Sequence, residues 1–494
     1  MANIHIGLDF GTSQTKACLF NTDNKQREFV EFENDTFFLP TLITKTANNL
    51  FKYGNESIEG VQYRYFKMAT AEDDQLIQVT KEDINGNQLS SEQIESFRRY
   101  NEVQDIKPEL LSILYLTYIF LYVKEKNLEI GKSKTSSSGL LRRFSKKISS
   151  TDNSFSIKMG IPTEWHNPNH IKRKIKFETI LITVSEFSKA FISLNSFLET
   201  QSNILLSKAS DINRKHSDYI ESLDFVSKRA YVGNLLNENK LSVFPETAGG
   251  ISFLLATKQL NDGYYGAMDI GGGTSDISIF KVSNNMLVNY LCSESVEIAS
   301  NNVYSKYLEL ENKIINYAEI KSAEQNFRDN GKMSKNFQDA LSLIGGDLEF
   351  ALRKTFYRKY YRPFRDVNST DADLVKNRLN GKPIILYGGG SNFSVINQGS
   401  YMFFRNPPTA KNIDNCLYFE VRSIAKYISQ IEIKQEEKVR KHINLLALAL
   451  GLSFLPENDT LANFFSPQDV TQISYGNDSN SRYFYYDIQD AVFK

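Results

Sequence analysis

Cysteine is scarce in this chain: Cys18, Cys292 and Cys416 are the only three. They lie far apart and are odd in number, which argues against a disulfide framework and fits a reducing compartment, so a cytoplasmic location is expected. An excess of charge of either sign is lacking as well. Lys+Arg and Asp+Glu both number 58, for a formal net charge of +0, so nothing global favours nucleic acid or an anionic membrane as a partner. Long hydrophobic runs are missing too. The longest, 110–123, would extend roughly 21 Å as a helix, short of the ~30 Å hydrocarbon core of a bilayer. Lys107, Lys124 and Lys126 bracket it, and it reads as a helix buried between other elements. Met1-Ala2-Asn3 leads straight into a strand pattern without the basic and apolar regions of a signal peptide. His166 and His170 are interrupted by Pro168, which argues against a helical metal-ligand pair.

What is present is ordinary globular composition, 41% hydrophobic and 23% charged over 494 residues. That length suggests two or three domains or lobes and more than one core. Strand patterns at 4–9 and 16–20 flank a tight turn, and a meander follows to about 59. Segment 85–150 reads mostly as helix. Its end, 131–150, holds six Lys or Arg, no acid, and much Ser and Gly; it fits either a solvated basic loop or a docking or phosphorylation segment. A strand at 156–162 precedes a long helical stretch, about 170–232. A short strand, 241–244, leads into Pro245-Glu246 and a helix from Thr247 to about 260. A second hairpin opens at 267, polar helices fill 300–375, a strand spans 383–387, and an apolar helix spans 443–454. The tail beyond is rich in Asn, Tyr and Phe; packing as a strand and binding a partner both fit it.

Three segments carry chemistry. In GLDFGTSQTK, 7–16, Gly11 at the corner of a β-turn lets backbone N–H groups approach phosphate oxygens closely. Thr12 and Ser13 add hydroxyl donors, and Lys16 can return to the same end of the hairpin. Asp9 at the strand end would be repelled by phosphate, which implies a bridging Mg²⁺ with water ligands. Alone, the motif also fits a tight hairpin with a solvated Asp. AMDIGGGTSDISIF, 267–280, repeats the design 260 residues later. Asp269 matches Asp9, Gly271-Gly272-Gly273 matches the turn, and Thr274 matches Thr12 or Ser13. The recurrence describes two similar lobes facing one ligand. In ILYGGGSNF, 385–393, a strand ends in Gly388-Gly389-Gly390 and Ser391 before a helix-capable segment, which allows close backbone approach and exposes a helix N-terminus to an anion.

Over about residues 4–453, the sequence resembles the ATPase region of the seventy-kilodalton heat-shock proteins, the DnaK type, within the superfamily of actin and sugar kinases. GLDFGTS and DIGGGTSD resemble the family's phosphate motifs and LYGGGSN its adenosine motif. Pro108-Glu109, the strand into Pro162, and Pro245-Glu246-Thr247-Ala248-Gly249-Gly250 resemble further family segments. The last of these is a connecting helix, and the helix around Ala447 to Gly451 resembles a second one. The resemblance implies an α/β, two-lobed actin-like ATPase fold with duplicated ribonuclease-H-like lobes around a nucleotide cleft. Lobe I would be 1–261, completed by 440–453, with lobe II at 262–439 and a tail at 454–494. It also implies ATP and Mg²⁺ as ligands. Asp9 and Asp269 would hold the metal through water and place the attacking water. Gly11, Thr12, Ser13, Lys16, Gly271, Gly272, Gly273 and Thr274 would hold phosphates, and Gly388, Gly389, Gly390 and Ser391 would face the adenosine. Glu246 would orient the water, a role typically worth about 10²–10⁴-fold. Lys67 is the candidate for the family's phosphate-contacting lysine.

The chain departs from the family in two further places. The family reads Glu-Pro where this chain reads Pro245-Glu246, an order resembling plasmid-segregation actins. The family's glycine-rich loop after the second hairpin is here EIASNN, 297–302. With only the tail after the second connecting helix, no client-binding domain is expected. The expected function is a Mg-ATP-binding, ATP-hydrolysing, chaperone-like switch with ATP/ADP and a protein client or partner as ligands. A filament-forming actin-like ATPase, a small-molecule kinase and a non-hydrolysing pseudo-ATPase stand as alternatives.

Overall fold

The structure, a computed structural model, describes residues 3–32, 36–55, 57–64, 66–71, 106–133, 154–167, 170–283, 287–315, 317–330, 334–379, 382–393, 419–423, 433–455 and 462–464. Most of the basic segment 131–150 and of the aromatic tail lies outside them. The described chain is mixed α/β and divides into two compact units. The first is drawn from Met1–Met159 and His170–Val243, the second from Gly160–Asn169 and Phe244–Leu455.

In the first unit, β1 (Asn3–Phe10) and β2 (Gln14–Asn21) form an antiparallel hairpin. With β3 (Arg27–Phe29), β4 (Leu39–Pro40), β8 (Ser154–Ile161) and β9 (Leu241–Pro245) they make a sheet ordered β3-β2-β1-β8-β9, with β4 paired to β2 and β8 parallel to β1. The central strand β1 buries Ile4, Ile6, Leu8 and Phe10 on one face and Asp9 on the other, as a strand covered on both faces should. A smaller sheet is ordered β6-β5-β7, from Phe51–Tyr53, Leu42–Lys45 and Val61–Arg64. The apolar run 110–123 lies in helix Pro108–Ser133 and is core: Leu111, Leu114, Tyr115 and Tyr118 are buried. Tyr115 stacks on Phe10, ring centroids 5.9 Å apart, and donates its hydroxyl to Pro40 O at 2.9 Å. No described helix is long and apolar enough to cross a membrane.

The long helical stretch expected at about 170–232 consists of the helices Ile171–Ser188, Leu194–Leu198, Ser202–Ser222 and Phe225–Glu238. The breaks have local causes. Ser193 and Ser196 close a reciprocal capping box, and the Asp224 carboxylate accepts from Val226 N and Ser227 N at 2.9 and 3.1 Å. Such caps satisfy amides that the first helical turn leaves unpaired.

The second unit is built on β10 (Gly263–Ile270), β11 (Ser275–Ser283) and β12 (Leu287–Val296), an antiparallel meander. Then β13 (Lys382–Tyr387) adds parallel to β10 and β14 (Phe419–Ser423) parallel to β13, with β15 (Ala462–Phe464) on the far edge against β12. Without β15 the order is β12-β11-β10-β13-β14. Each unit thus contains the same plan, a meander whose first strand then receives the fourth and fifth strands on its other edge. Helices Ser300–Leu310, Tyr317–Asn330, Lys335–Phe356 and Ser369–Leu379 fill the connection after β12. They bury Val303, Leu308, Leu341, Leu348 and Leu352 with the sheet residues Ile277, Ile279 and Ile384.

Helix Glu246–Ala256 and helix Glu436–Leu452 meet backbone to backbone. A Cβ on Gly451 would stand 1.7 Å from Gly249 O, and one on Gly249 would stand 2.6 Å from Leu448 Cδ1. The Ser252 hydroxyl lies within hydrogen-bond reach of the carbonyls of Gly249 and Gly451, one of which takes its single proton, so it spans the crossing. Helix Glu246–Ala256 starts without a side-chain cap of its own. Thr163 supplies one, its hydroxyl accepting from Thr247 N at 3.0 Å. These partners all belong to the second unit. The compact units divide after Val243, and the late helix belongs to the second unit.

The crossing makes a sharp stability prediction. Gly451→Ala should destabilise the protein by at least about 2 kcal/mol, since overpacking forces backbone shifts. Gly233→Ala, where an added Cβ meets nothing within 4 Å, should stabilise it by about 0.5–1 kcal/mol. Chemical denaturation of both variants checks the pair, and an unchanged Gly451→Ala midpoint would contradict the close approach.

Candidate functional site

The two hairpins superpose residue by residue in register. Asp9 pairs with Lys16 and Phe10 with Thr15; Asp269 pairs with Asp276 and Ile270 with Ser275. Equal spacing makes Gly11 equivalent to Gly271, Thr12 to Gly272 and Ser13 to Gly273. Thr274 is therefore equivalent to Gln14, which corrects the match to Thr12 or Ser13 expected from composition alone.

Gly11 and Gly271 are required for the same steric reason. A Cβ on Gly11 would lie 2.3 Å from Gln14 O, and one on Gly271 would lie 2.8 Å from Thr274 O. Neither has a positive φ, so close approach, not backbone handedness, excludes a side chain. The turn carbonyls are then tied back. In the first hairpin, Thr41 donates its hydroxyl to Gly11 O at 2.8 Å and its N–H to Ser13 O at 2.9 Å. In the second, Ser300 N and Oγ donate to Gly271 O at 3.1 and 2.8 Å, and Asn301 N donates to Gly272 O at 3.0 Å. The amides of Thr12, Ser13, Gly272, Gly273 and Thr274 find no acceptor among the described residues. Both turns are half-buried. Consecutive amides left open while their carbonyls are held elsewhere form an anion nest.

The charges differ between the hairpins. Lys16 Nζ lies 2.9 Å from Asp9 Oδ2, both side chains largely buried. The second hairpin has Asp276 where the first has Lys16, so two carboxylates stand across from one another. Lys67, in helix Phe66–Ala71, is buried with Nζ 5.8 Å from the Phe10 ring centroid. It is not a surface lysine, and it sits beside the residue that follows Asp9.

No family model matches the chain, and no curated protein matches it.

The third glycine element belongs to the second hairpin's surroundings. Gly388 has φ +83°, and a Cβ there would stand 2.2 Å from Asp269 Oδ1. Its N–H donates to Asn444 O of helix Glu436–Leu452 at 2.8 Å. Gly390 packs on Ile270, and a Cβ on Gly389 would stand 3.2 Å from Leu445. The Ser391 hydroxyl is buried and donates to Gly388 O at 2.7 Å. The helix expected to present its N-terminus here is, among the described residues, only a five-residue 3₁₀ turn, Gly389–Phe393. The glycines are therefore explained by packing against Asp269, Ile270 and the late helix.

Glu246 is the first residue of its helix, after Pro245, and is buried. The end of β8 runs against it: a Cβ on Gly160 would lie 3.2 Å from Glu246 Cγ. Tyr387, the register partner of Asp269, reaches Glu246 O at 3.4 Å through its hydroxyl. Burial first, then the charge of Asp269, pushes the Tyr387 phenol well above its ordinary value. The segment 297–302, expected as an altered nucleotide loop, is the buttress of the second turn. Its helix amides at Ser300 and Asn301 go to the carbonyls of Gly271 and Gly272.

Sequence reasoning overlooked Asp276, Thr41 and Ser300. Aligning the hairpins at their aspartates, with a spacing of seven to Lys16 and to Asp276, would have found the first. Thr41 and Ser300 carry no local signal. Among the described residues no group of three or more His, Cys, Asp or Glu could hold a metal. Mg²⁺ needs no such cage, because it keeps its waters and binds through one or two carboxylates plus phosphates. Asp269 and Asp276, register partners across the second hairpin, are two carboxylates of the kind that role requires. Asp9 is already compensated by Lys16.

Removing that compensation is measurable. Lys16→Met should cost about 3 kcal/mol, because it strands a buried carboxylate. The double variant Asp9→Asn/Lys16→Met should recover most of the loss. Denaturant titration of the three variants tests this, and a Lys16→Met protein as stable as wild type would rule out a buried ion pair.

Proposed function

We propose that this protein binds Mg-ATP through its two Asp-Φ-Gly hairpins and hydrolyses it as an actin-like ATPase of the DnaK type. The observation that carries the reading is the repeated turn whose carbonyls are tied back and whose amides are open. The strand plan found in both units and the glycine crossing of helices Glu246–Ala256 and Glu436–Leu452 support the actin-like, ribonuclease-H-like assignment. Phosphoryl transfer rests on positioning and electrostatics, and the open amides at Thr12, Ser13, Gly272, Gly273 and Thr274 are positioned donors. Mg²⁺ held through water by Asp269 and Asp276 would supply neutralisation of phosphate charge. Lys16, released from Asp9, would meet a phosphate oxygen, leaving Asp9 free to orient water. Glu246 would act as a second water-orienting carboxylate. ATP and ADP then differ in the contacts made to the γ-phosphate, and a differential contact of this kind is what drives a conformational switch. A chaperone-like switch acting on a protein partner is the role this supports.

A nucleotide switch that does not hydrolyse is the second reading. The Asp9–Lys16 pair favours it, since a carboxylate neutralised by its own lysine is a weak organiser of a hydrated metal.

Mg-ATP at 100 times its dissociation constant should stabilise the protein by about 2.7 kcal/mol, read as a thermal shift. Asp269→Asn should abolish the Mg²⁺ dependence of that shift. Glu246→Gln should bind ATP while releasing phosphate at least about 10²-fold more slowly. No shift in the wild type overturns the proposal, and a shift without phosphate release selects the second reading.

A further inference from the structure

Each open turn is held by two buried hydroxyls at equivalent places, although they come from unrelated stretches of chain. In the first hairpin these are Thr15 and Thr41, 0% and 3% exposed. Thr41 donates its one hydroxyl proton to Gly11 O. In the 3.1 Å contact between the Thr15 and Thr41 hydroxyls, Thr15 is then the one with a proton to give, because a hydroxyl has a single proton. The result is a directional chain, Thr15 to Thr41 to the Gly11 carbonyl. In the second hairpin the register equivalent of Thr15 is Ser275, 0% exposed. Its hydroxyl donates to Ile298 O at 2.5 Å, two residues before Ser300. Ser300, 8% exposed, donates its own hydroxyl to Gly271 O at 2.8 Å, the equivalent of Gly11 O. One arrangement thus recurs in both units: a strand hydroxyl fixes a buttress segment, and the buttress hydroxyl holds the turn glycine's carbonyl.

We infer that Thr41 and Ser300 are positioning residues for phosphate. The peptide group is planar, so pinning the Gly11 and Gly271 carbonyls orients the N–H groups of Thr12 and Gly272 the opposite way. Without the Thr41 hydroxyl, the Gly11 carbonyl is free to rotate and the adjoining amide leaves the nest; the Gly271 carbonyl keeps the Ser300 N–H and is held by one donor instead of two. Neither residue touches the anion itself. This inference rests on the reading of the turns as phosphate sites and adds which residues set them.

The test is calorimetric titration of the full chain with ADP and ATP in excess Mg²⁺, at a temperature where circular dichroism shows every variant folded. Thr41→Val should bind both nucleotides about fivefold to tenfold more weakly, the worth of one hydrogen bond. Thr41→Ser, which keeps the hydroxyl, should bind within about twofold of wild type by the same reckoning. That rescue separates positioning from packing, because serine lacks the methyl group that valine retains. Ser300→Ala makes the same test in the second unit should Thr41→Val fail to fold. Wild-type affinity in Thr41→Val or Ser300→Ala overturns the inference and leaves the ATP reading standing. Equal weakening in Thr41→Ser and Thr41→Val also overturns it. A wild type that binds neither nucleotide overturns both.

Discussion

A carbonyl oxygen occupies the place where a side chain would begin. At Gly11 it is Gln14 O and at Gly271 it is Thr274 O, and much of the candidate site follows from those two approaches. A turn closed that tightly folds its own chain into a small loop, and the loop's carbonyls and amides then separate to opposite sides. Carbonyls inside a protein need donors. Thr41 supplies them in one unit and Ser300 with Asn301 in the other. Once those bonds are made, the remaining amides are open in both turns.

The second unit adds a chain of further close approaches. Asp269 lies on Gly388, Gly388 is bonded to Asn444, and seven residues on from Asn444 Gly451 meets Gly249 in the helix that Glu246 begins. Each step depends on a missing Cβ or a backbone hydrogen bond, and packed interiors transmit displacement because they have few voids to absorb it. In the first unit the Asp9 carboxylate pairs with Lys16 of its own hairpin. The two hairpins share one backbone design and carry opposite electrostatic states: a neutral pair in one, two carboxylates in the other.

Elements with strong local causes were legible in advance. The buried helix around Tyr115 was written in an uninterrupted apolar run too short for a bilayer. The hairpins were written in an aspartate and a glycine at fixed spacing. Other features took their form from details that the broad pattern does not display. The stretch 170–232 was legible as helical, and Ser193 and Asp224 cap separate helices within it. Gly388, Gly389 and Gly390 were legible as a place of close approach, and the structure adds Asp269, Ile270 and Leu445 as neighbours.

The sequence by itself determined the two turns, because a tight hairpin is a local object and its glycine is required by an atom three residues away. It also determined which residue types would meet at those turns. Only the tertiary structure decided what holds them open. Thr41 lies 30 residues from Gly11 and Ser300 lies 29 residues from Gly271. Nothing in the sequence near either residue marks it as the partner of a turn carbonyl. A hydrogen bond between distant segments leaves no periodicity and no spacing to read. It exists once the sheet has set the register, and that register depends on burial along whole strands.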